Sequence, residues 1–225
     1  MIKEHIINTD GIELKFYDLQ TSETMVHMIE QVFEQDEYGL KKMNYNQGDV
    51  IVDIGANIGC VSIYLAKKYP DLKIISFEAH PTNYSNLVKN IELNGVTNIK
   101  HYNLAVSSKD GETVKITLNP GNTGSSSLYK INENDINTKE VKTISLDTII
   151  TENNISRIKF LKLDCEGSEF DILENSNLIH NILVENVSVE IHTFMEPYNK
   201  NVDSLISLIN HISENKPNCK VYTLG

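Results

Sequence analysis

An α/β fold built on a parallel sheet is predicted by three stretches of this 225-residue chain. In 49–60, DVIVDIGANIGC, a β-branched apolar run meets a glycine turn and then a helix start. Runs of this kind lack polar alternation, so they suit strands covered on both faces. A second apolar run, LKIISFEA at 72–79, follows at the interval expected of a strand–helix–strand unit, and a third, RIKFLKLD, closes at Asp164. Strands alternating with helical stretches pair in parallel through crossovers.

Each element has its own signal. Residues 4–17, EHIINTDGIELKFY, place two strand-like runs around Asp10-Gly11, a hairpin pair. A helix should follow, capped by Ser22, with Met25, Met28, Ile29, Val32 and Phe33 on one core-facing side. The connector 36–48 feeds the strand Val50–Ile54, and Cys60 to Tyr69 reads as a helix stopped by Pro70. The next helix enters through Pro81 and Thr82, turns Leu87, Ile91 and Leu93 inward, and ends at Gly95. IKHYNLAVSS, 99–108, reads as one strand; GETVKITLN and KEVKTISLDTII read as two more, flanking a polar loop without a period. The strand at 158–164, a fifth core strand ENVSVEIH (185–192), a helix around 202–213 and KVYTLG complete the chain. The expected organisation is a single domain over 1–225: an N-terminal hairpin and helix in 1–48, and a cofactor-binding core in 49–225 carrying a hairpin insertion at 110–151.

The glycine turn narrows the ligand. A dinucleotide fold wants Gly-x-Gly-x-x-Gly, whose middle glycine lets a pyrophosphate approach the backbone. Here Asn57 occupies that position in Gly55-Ala56-Asn57-Ile58-Gly59, and Asp53 just before it would repel phosphate but suit a sulfonium or ammonium. Glu78 stands where an acid accepts hydrogen bonds from two ribose hydroxyls. A ribose without pyrophosphate, plus positive charge, describes S-adenosylmethionine. The turn residues Gly55, Ala56, Asn57 and Gly59, with Asp53, Glu78 and Ala79, are therefore the candidate cofactor site. Asn103 and Ala105 are candidates for the adenine side, and Tyr38, with Glu37, for the methionine end. Ser125, Ser126 and Ser127 are candidate hydroxyls toward a polar substrate.

Period two puts Lys162 with Asp164, and Glu190 with His192, near strand ends where open α/β sheets bind ligands. His192, with an unperturbed pKa of about 6.5, is the candidate general base, and Asp164 the group that orients it or contacts the cofactor. Glu166 and Glu169 fall where a helix begins, and the helix dipole alone accounts for Glu169.

Charge and composition exclude other classes. The chain carries 31 acidic against 20 basic residues, a net −11, without a dense basic run, which argues against nucleic acid. Cys60, Cys165 and Cys219 lack C-x-x-C spacing, and the seven histidines lack H-x-x-x-H spacing, so reduced thiols and no metal are expected. No apolar run approaches the ~20 residues that span a bilayer, and no leader is evident, so a cytoplasmic protein with no membrane partner is expected.

Several motifs together resemble the FkbM family of S-adenosylmethionine-dependent methyltransferases: Asp-Ile-Gly-Ala-Asn-Ile-Gly (53–59), Phe-Glu-Ala-His-Pro (77–81) with Asn90 and Asn94, Gly-Ser-Ser-Ser-Leu (124–128), Lys-Leu-Asp-Cys-Glu-Gly-Ser-Glu (162–169) and Val-Glu-Ile-His (189–192). The resemblance implies a Rossmann-like sheet of the class I methyltransferase kind and methyl transfer to a hydroxyl of a sugar, glycan or secondary metabolite. It carries over Asp53, Gly55, Asn57 and Gly59 as the cofactor loop and Glu78 as the ribose acid. Class I sheets usually finish with an antiparallel hairpin, whereas this sequence stops at KVYTLG, so the expectation is either a shortened chain or an absent last antiparallel strand with the sheet edge covered otherwise. The alternatives are N-methylation of a small-molecule or glycan-linked amine and a non-catalytic cofactor-binding module. Nucleic-acid amine methylation is disfavoured by Asp164-Cys165-Glu166-Gly167 where those enzymes carry Pro-Pro-aromatic, and a dehydrogenase by Asn57.

Overall fold

The computed structural model describes residues 2–19, 29–118, 127–128, 137–192 and 202–222. Strands β1 (Ile2–Thr9) and β2 (Ile12–Leu19) form the antiparallel hairpin, turning through Asp10 at φ 50° and Gly11 at φ 80°. Two left-handed residues in succession match the turn that Asp-Gly favours. Most of the expected 22–33 helix lies outside the described residues; its described end, Ile29–Glu34, is a π-helix that buries Val32 and Phe33.

The core alternates strands and helices. In order come β3 (Val50–Ile54), α1 (Cys60–Lys68), β4 (Lys73–Phe77), α2 (Pro81–Asn94), β5 (Ile99–Tyr102), β6 (Ala105–Ser107), β7 (Thr113–Thr117) and β8 (Thr138–Ser145). Then follow α3 (Leu146–Glu152), β9 (Arg157–Leu163), α4 (Glu169–Asn175), β10 (Leu183–His192), α5 (Val202–Ile212) and β11 (Asn218–Tyr222). Six of the strands make one sheet in the order β11-β10-β9-β3-β4-β5, parallel throughout. Among the described residues no antiparallel strand joins it, and β11 closes its edge in parallel with β10.

The chain winds outward from β3 through β4 to β5, then returns to build β9, β10 and β11 on the other side. That reversal opens a crevice at the carboxyl ends of β3 and β9, the place where such sheets take ligands. One face of the sheet packs under α1, α2 and the hairpin, around Phe16, Ile51, Ile63, Tyr64 and Leu87. The opposite face packs under α3, α4 and α5, around Val52, Leu161, Phe170, Val187 and Ile209.

Three expectations need correction. The run 99–108 is two strands: β5 ends at Tyr102, and β6 joins a separate sheet ordered β6-β8-β7. The run 139–150 is a strand only to Ser145, whose hydroxyl accepts the Thr148 N–H and so caps α3. The 110–151 insertion is therefore more than a hairpin, since β8 pairs in parallel with β6 as well as antiparallel with β7, and its end is helical.

Candidate active site

The floor of the crevice is the turn Gly55–Gly59. Gly55 and Ala56 donate their N–H groups to the Phe77 carbonyl at 3.0 and 2.9 Å, tying the turn to β4. Gly55 sits at φ +81°, and a Cβ there would lie 1.7 Å from the Asp164 carbonyl oxygen. β3 and β9 thus close on each other to a distance only glycine permits. Asn57, at φ 53°, donates its N–H to Glu78 Oε2 at 2.6 Å, while its own Oδ1 is buried with no hydrogen-bond partner among the described residues. Gly59, at φ 96°, begins α1, and Ala56 is buried within the turn.

Glu78 follows β4 and accepts two backbone N–H groups, from Asn57 and from His80 at 2.8 Å. Burial pushes its pKa up to about 7, against those two hydrogen bonds and the Lys162 charge, which hold it down. A carboxylate has about four acceptor sites, so two remain for hydroxyl donors. His80 in turn caps α2, its Nδ1 accepting from the Thr82 and Asn83 N–H groups.

Three of the expected cofactor contacts are placed differently. Asp53 is fully buried; it accepts the Ser62 hydroxyl at 2.5 Å and lies 3.6 Å from Lys162, so it fixes the strand end from beneath instead of facing the crevice. The Asn103 amide donates to the Glu78 and Ala79 carbonyls at 2.8 and 3.0 Å, which sets the path of the backbone after β4. Ala105 is sealed in a small core with Ile116 and Val141, against which Ala79 packs. Adenine-side groups would accordingly be backbone and the shape of this loop. Tyr38 is buried, and its hydroxyl donates to Asp164 Oδ2 at 3.0 Å.

Across from Glu78 stands a cluster of charges. Lys162, almost wholly buried, reaches the Gly55 carbonyl at 2.9 Å and Asp164 Oδ2 at 3.2 Å, and lies 5.1 Å from the centre of the Tyr38 ring. Its burial would favour the neutral amine, but the charges of Asp164, Asp53 and Glu190 outweigh that and raise its pKa. Burial works the other way on Asp164, yet the charges of Lys162 and His192 hold its carboxyl below the usual range. Burial, reinforced by the neighbouring Asp164, pushes Glu190 up to about 7, and burial does the same to Glu166.

His192 does not behave as the expected neutral base. Its Nδ1 lies 3.2 Å from Glu169 Oε1 and its Nε2 3.6 Å from Glu166 Oε2, so both ring nitrogens face carboxylates. Burial opposes the charged ring, but the hydrogen bond to Glu169 and the charges of Glu169, Glu166 and Asp164 carry its pKa up to about 10. A ring that already holds its proton cannot take another from an acceptor.

Glu169 is the residue the sequence reading undervalued. It is completely buried, turns back to accept the Cys165 N–H at 3.1 Å and the Gly167 N–H at 3.1 Å, and meets His192. A dipole-favoured surface acid would do none of this. Ser125 and Ser126 lie outside the described residues; Ser127 is buried and donates its hydroxyl to the Glu166 carbonyl, so it braces that turn instead of facing a substrate. Glu37 pairs with Lys220, and its carbonyl accepts from Asn218, which fastens the connector to β11. Among the described residues, no helix is long and apolar enough to cross a membrane.

Comparison with known proteins finds several named methyltransferases. A relative from Beauveria bassiana named Methyltransferase 1 is 31% identical over 63% of this chain, which spans 64% of that protein, just under two thirds of its length. Methyltransferase sdnD of Sordaria araneosa is 29% identical over 79% of this chain and 78% of its own. Hexuronic acid methyltransferase AglP of Haloferax volcanii is 29% identical over 77% of this chain and 68% of its own. The Methyltransferase FkbM domain matches residues 53–215, from the acid below the glycine turn to the end of α5 and beyond. The chain belongs to the FkbM methyltransferase family.

Proposed function

We propose that this protein is an S-adenosylmethionine-dependent methyltransferase whose acceptor is a hydroxyl on a sugar, glycan or secondary metabolite. One observation carries the reading: a buried carboxylate, Glu78, which accepts two backbone N–H groups and keeps acceptor sites for hydroxyls, lies across the switch point of the sheet from a carboxylate-rich cluster. Asp164, Glu166, Glu169 and Glu190 there face Lys162 and His192 as the cations among the described residues, a surplus of negative charge suited to a sulfonium and an ammonium. The buried, unpartnered Asn57 Oδ1 fits the same ligand, since a buried acceptor without a donor is costly until one arrives.

Bound there, the cofactor supplies a methyl group activated on a positively charged sulfur. Glu78 would hold the ribose hydroxyls, the Gly55–Gly59 backbone the centre of the molecule, and Tyr38 and Asp164 its methionine end. The protein's remaining task is alignment of acceptor oxygen and methyl, with a destination for one proton. Asp164 and His192 stay at the reacting end, with His192 as a positioning group clamped by Glu169. The relative named for hexuronic acid supports a sugar acceptor.

Hydrogen bonds to a charged acceptor contribute ~1.5 to 3 kcal/mol, so Glu78→Ala is expected to weaken cofactor binding roughly ten- to a hundredfold in titration calorimetry. Unchanged affinity in a folded variant would remove Glu78 from the site. The pH dependence has a definite sign. With its folded pKa raised from 4.5 to about 7, Glu78 holds a proton that the unfolded chain has lost. Its contribution to stability therefore falls as pH rises from about 4.5 to about 7 and is level above. Ribose hydroxyls favour the ionised carboxylate, so cofactor affinity should rise from pH 6 to pH 8, and Glu78→Gln should flatten that part of the profile. Acceptor class is tested by incubating the protein with methyl-labelled cofactor and hydroxyl, carboxylate and amine acceptors. Binding without transfer to any of them would leave a non-catalytic cofactor module.

A further inference from the structure

We propose that Asp164, Glu190 and His192 form a binding site for one divalent cation of the magnesium or manganese kind. One donor atom from each lies within 4.8 Å of the other two. Octahedral ligands at ~2.1 Å stand about 3 Å apart at adjacent corners and about 4.2 Å at opposite ones, so small side-chain shifts bring all three onto one ion. The backbone makes this grouping firm. Asp164 directly follows β9, and Glu190 and His192 stand two apart on β10, which pairs with β9 in parallel.

Two further observations point to an ion. Glu190 is 7% exposed, and its Oε1 is buried with no hydrogen-bond partner among the described residues. A carboxylate oxygen left without a donor in that position is costly even with Lys162 and His192 near it, and a bound cation would relieve that cost. His192, in addition, is oriented as metal-binding histidines are: its Nδ1 is held by a carboxylate, Glu169 Oε1 at 3.2 Å, and an ion bound at Nε2 would release to water the proton that the ring carries without it. Glu169 is itself fixed by the Cys165 and Gly167 N–H groups. Glu166 Oε2, 3.6 Å from Nε2, is close enough to add a fourth donor or to shield the site.

Lys162 is the competing cation. Its ammonium is committed to the Gly55 carbonyl, to Asp164 Oδ2 and to the Asp53 side of the crevice, and Tyr38 also engages Asp164 through Oδ2. Both neighbours thus approach the same oxygen of Asp164. Two carboxylates with one imidazole suit manganese and magnesium by their oxygens, with zinc the chief rival by its nitrogen. What the ion does rests on the methyl-transfer reading, whereas its binding does not. Coordinated acceptor hydroxyls would lose a proton to water more readily, and the resulting oxygen would then take the methyl group. That chemistry favours an acceptor with two adjacent oxygens, as in a sugar diol or an α-hydroxy acid.

The test uses the full chain, stripped with a chelator and titrated with manganese(II) at neutral pH without cofactor, followed by electron paramagnetic resonance. The expected result is one bound ion per chain, displaced by excess magnesium, with a nitrogen coupling in the pulsed spectrum. Glu190→Gln should weaken binding at least tenfold, and His192→Gln should abolish the nitrogen coupling, while Asp110→Asn, remote from the cluster, leaves both unchanged. Free manganese signal undiminished by the wild-type protein overturns the proposal, as does wild-type affinity in Glu190→Gln. Should Glu190→Gln fail to fold, the nitrogen coupling in wild type and its loss in His192→Gln decide the matter. Cofactor titration on the same stripped protein separates the two readings. Cofactor binding without manganese binding sinks only the metal site, and the reverse sinks only the methyltransferase.

Discussion

Replacing Gly55 with valine is expected to lower stability by about 3 kcal/mol or more and to remove measurable cofactor binding. The new Cβ would stand 1.7 Å from the Asp164 carbonyl oxygen and 2.7 Å from its carbon, both backbone atoms that no rotamer change can withdraw. The ends of β3 and β9 must then part. That movement strains the Asp164 N–H to Ile54 carbonyl bond of 3.1 Å and the Lys162 contact with the Gly55 carbonyl. Overpacking of this kind costs ~1–3 kcal/mol, and a left-handed conformation costs a further ~1–2 for a side-chain-bearing residue. Gly95→Ala is the control, because Gly95 has φ +62° but open space where a Cβ would go. It should lose only the conformational part, ~1 kcal/mol. If denaturant midpoints show Gly55→Ala to be as mild as Gly95→Ala, the close approach of the two strands is wrong.

The same contrast shows what the sequence could and could not tell. The strands β3, β4, β9 and β10 were legible from their β-branched and apolar residues even though they bury Asp53, Ser76, Lys162 and Ser188, and period two then put Asp164, Glu190 and His192 at strand ends. The break at Asn103–Leu104 was not legible, because β5 and β6 follow each other with two residues between them and the change of sheet is marked only by an asparagine. The helix α3 was hidden by Ile144, Ile149 and Ile150, whose β-branched side chains read as strand, although Ser145 and Thr148 stand at capping distance in the sequence. Glu169 was misjudged for a different reason. A helix start explains an acid locally, and nothing local reveals that the acid turns back toward a histidine 23 positions later. The elevated pKa of His192 follows from that same partner, so one misplaced side chain altered both the identity and the charge of the presumed base.

Asn90→Ala is expected to cost about 3 kcal/mol, although Asn90 lies outside the cofactor crevice. The residue is fully buried on α2; its Nδ2 donates to the Ile58 carbonyl at 2.9 Å and the Tyr17 carbonyl at 3.2 Å, and its Oδ1 accepts the Tyr17 N–H at 2.7 Å. One turn on, Asn94 does the same for Lys15, accepting its N–H at 3.0 Å and donating to its carbonyl at 2.7 Å. The two amides therefore treat β2 as a neighbouring strand would, and this docks the N-terminal hairpin onto the helix. Alanine at 90 deprives up to three backbone groups of a partner, the Ile58 carbonyl in a buried site and the two Tyr17 groups in a partly buried one, each worth ~1–3 kcal/mol when left bare. In a chain of this size ~3 kcal/mol corresponds to a fall in Tm of about 6–12 °C. The Ile58 carbonyl belongs to the glycine turn, so the loss should also loosen the cofactor loop and weaken binding there. Asn90→Asp separates shape from hydrogen bonding: it keeps an acceptor for Tyr17 but sets a carboxylate against two carbonyls, and should be at least as harmful. Hydrogen exchange would then show the hairpin amides opening before those of β3 and β9. A Tm within about 2 °C of wild type in Asn90→Ala would mean the hairpin is held by Leu14 and Phe16 alone, buried at the same contact.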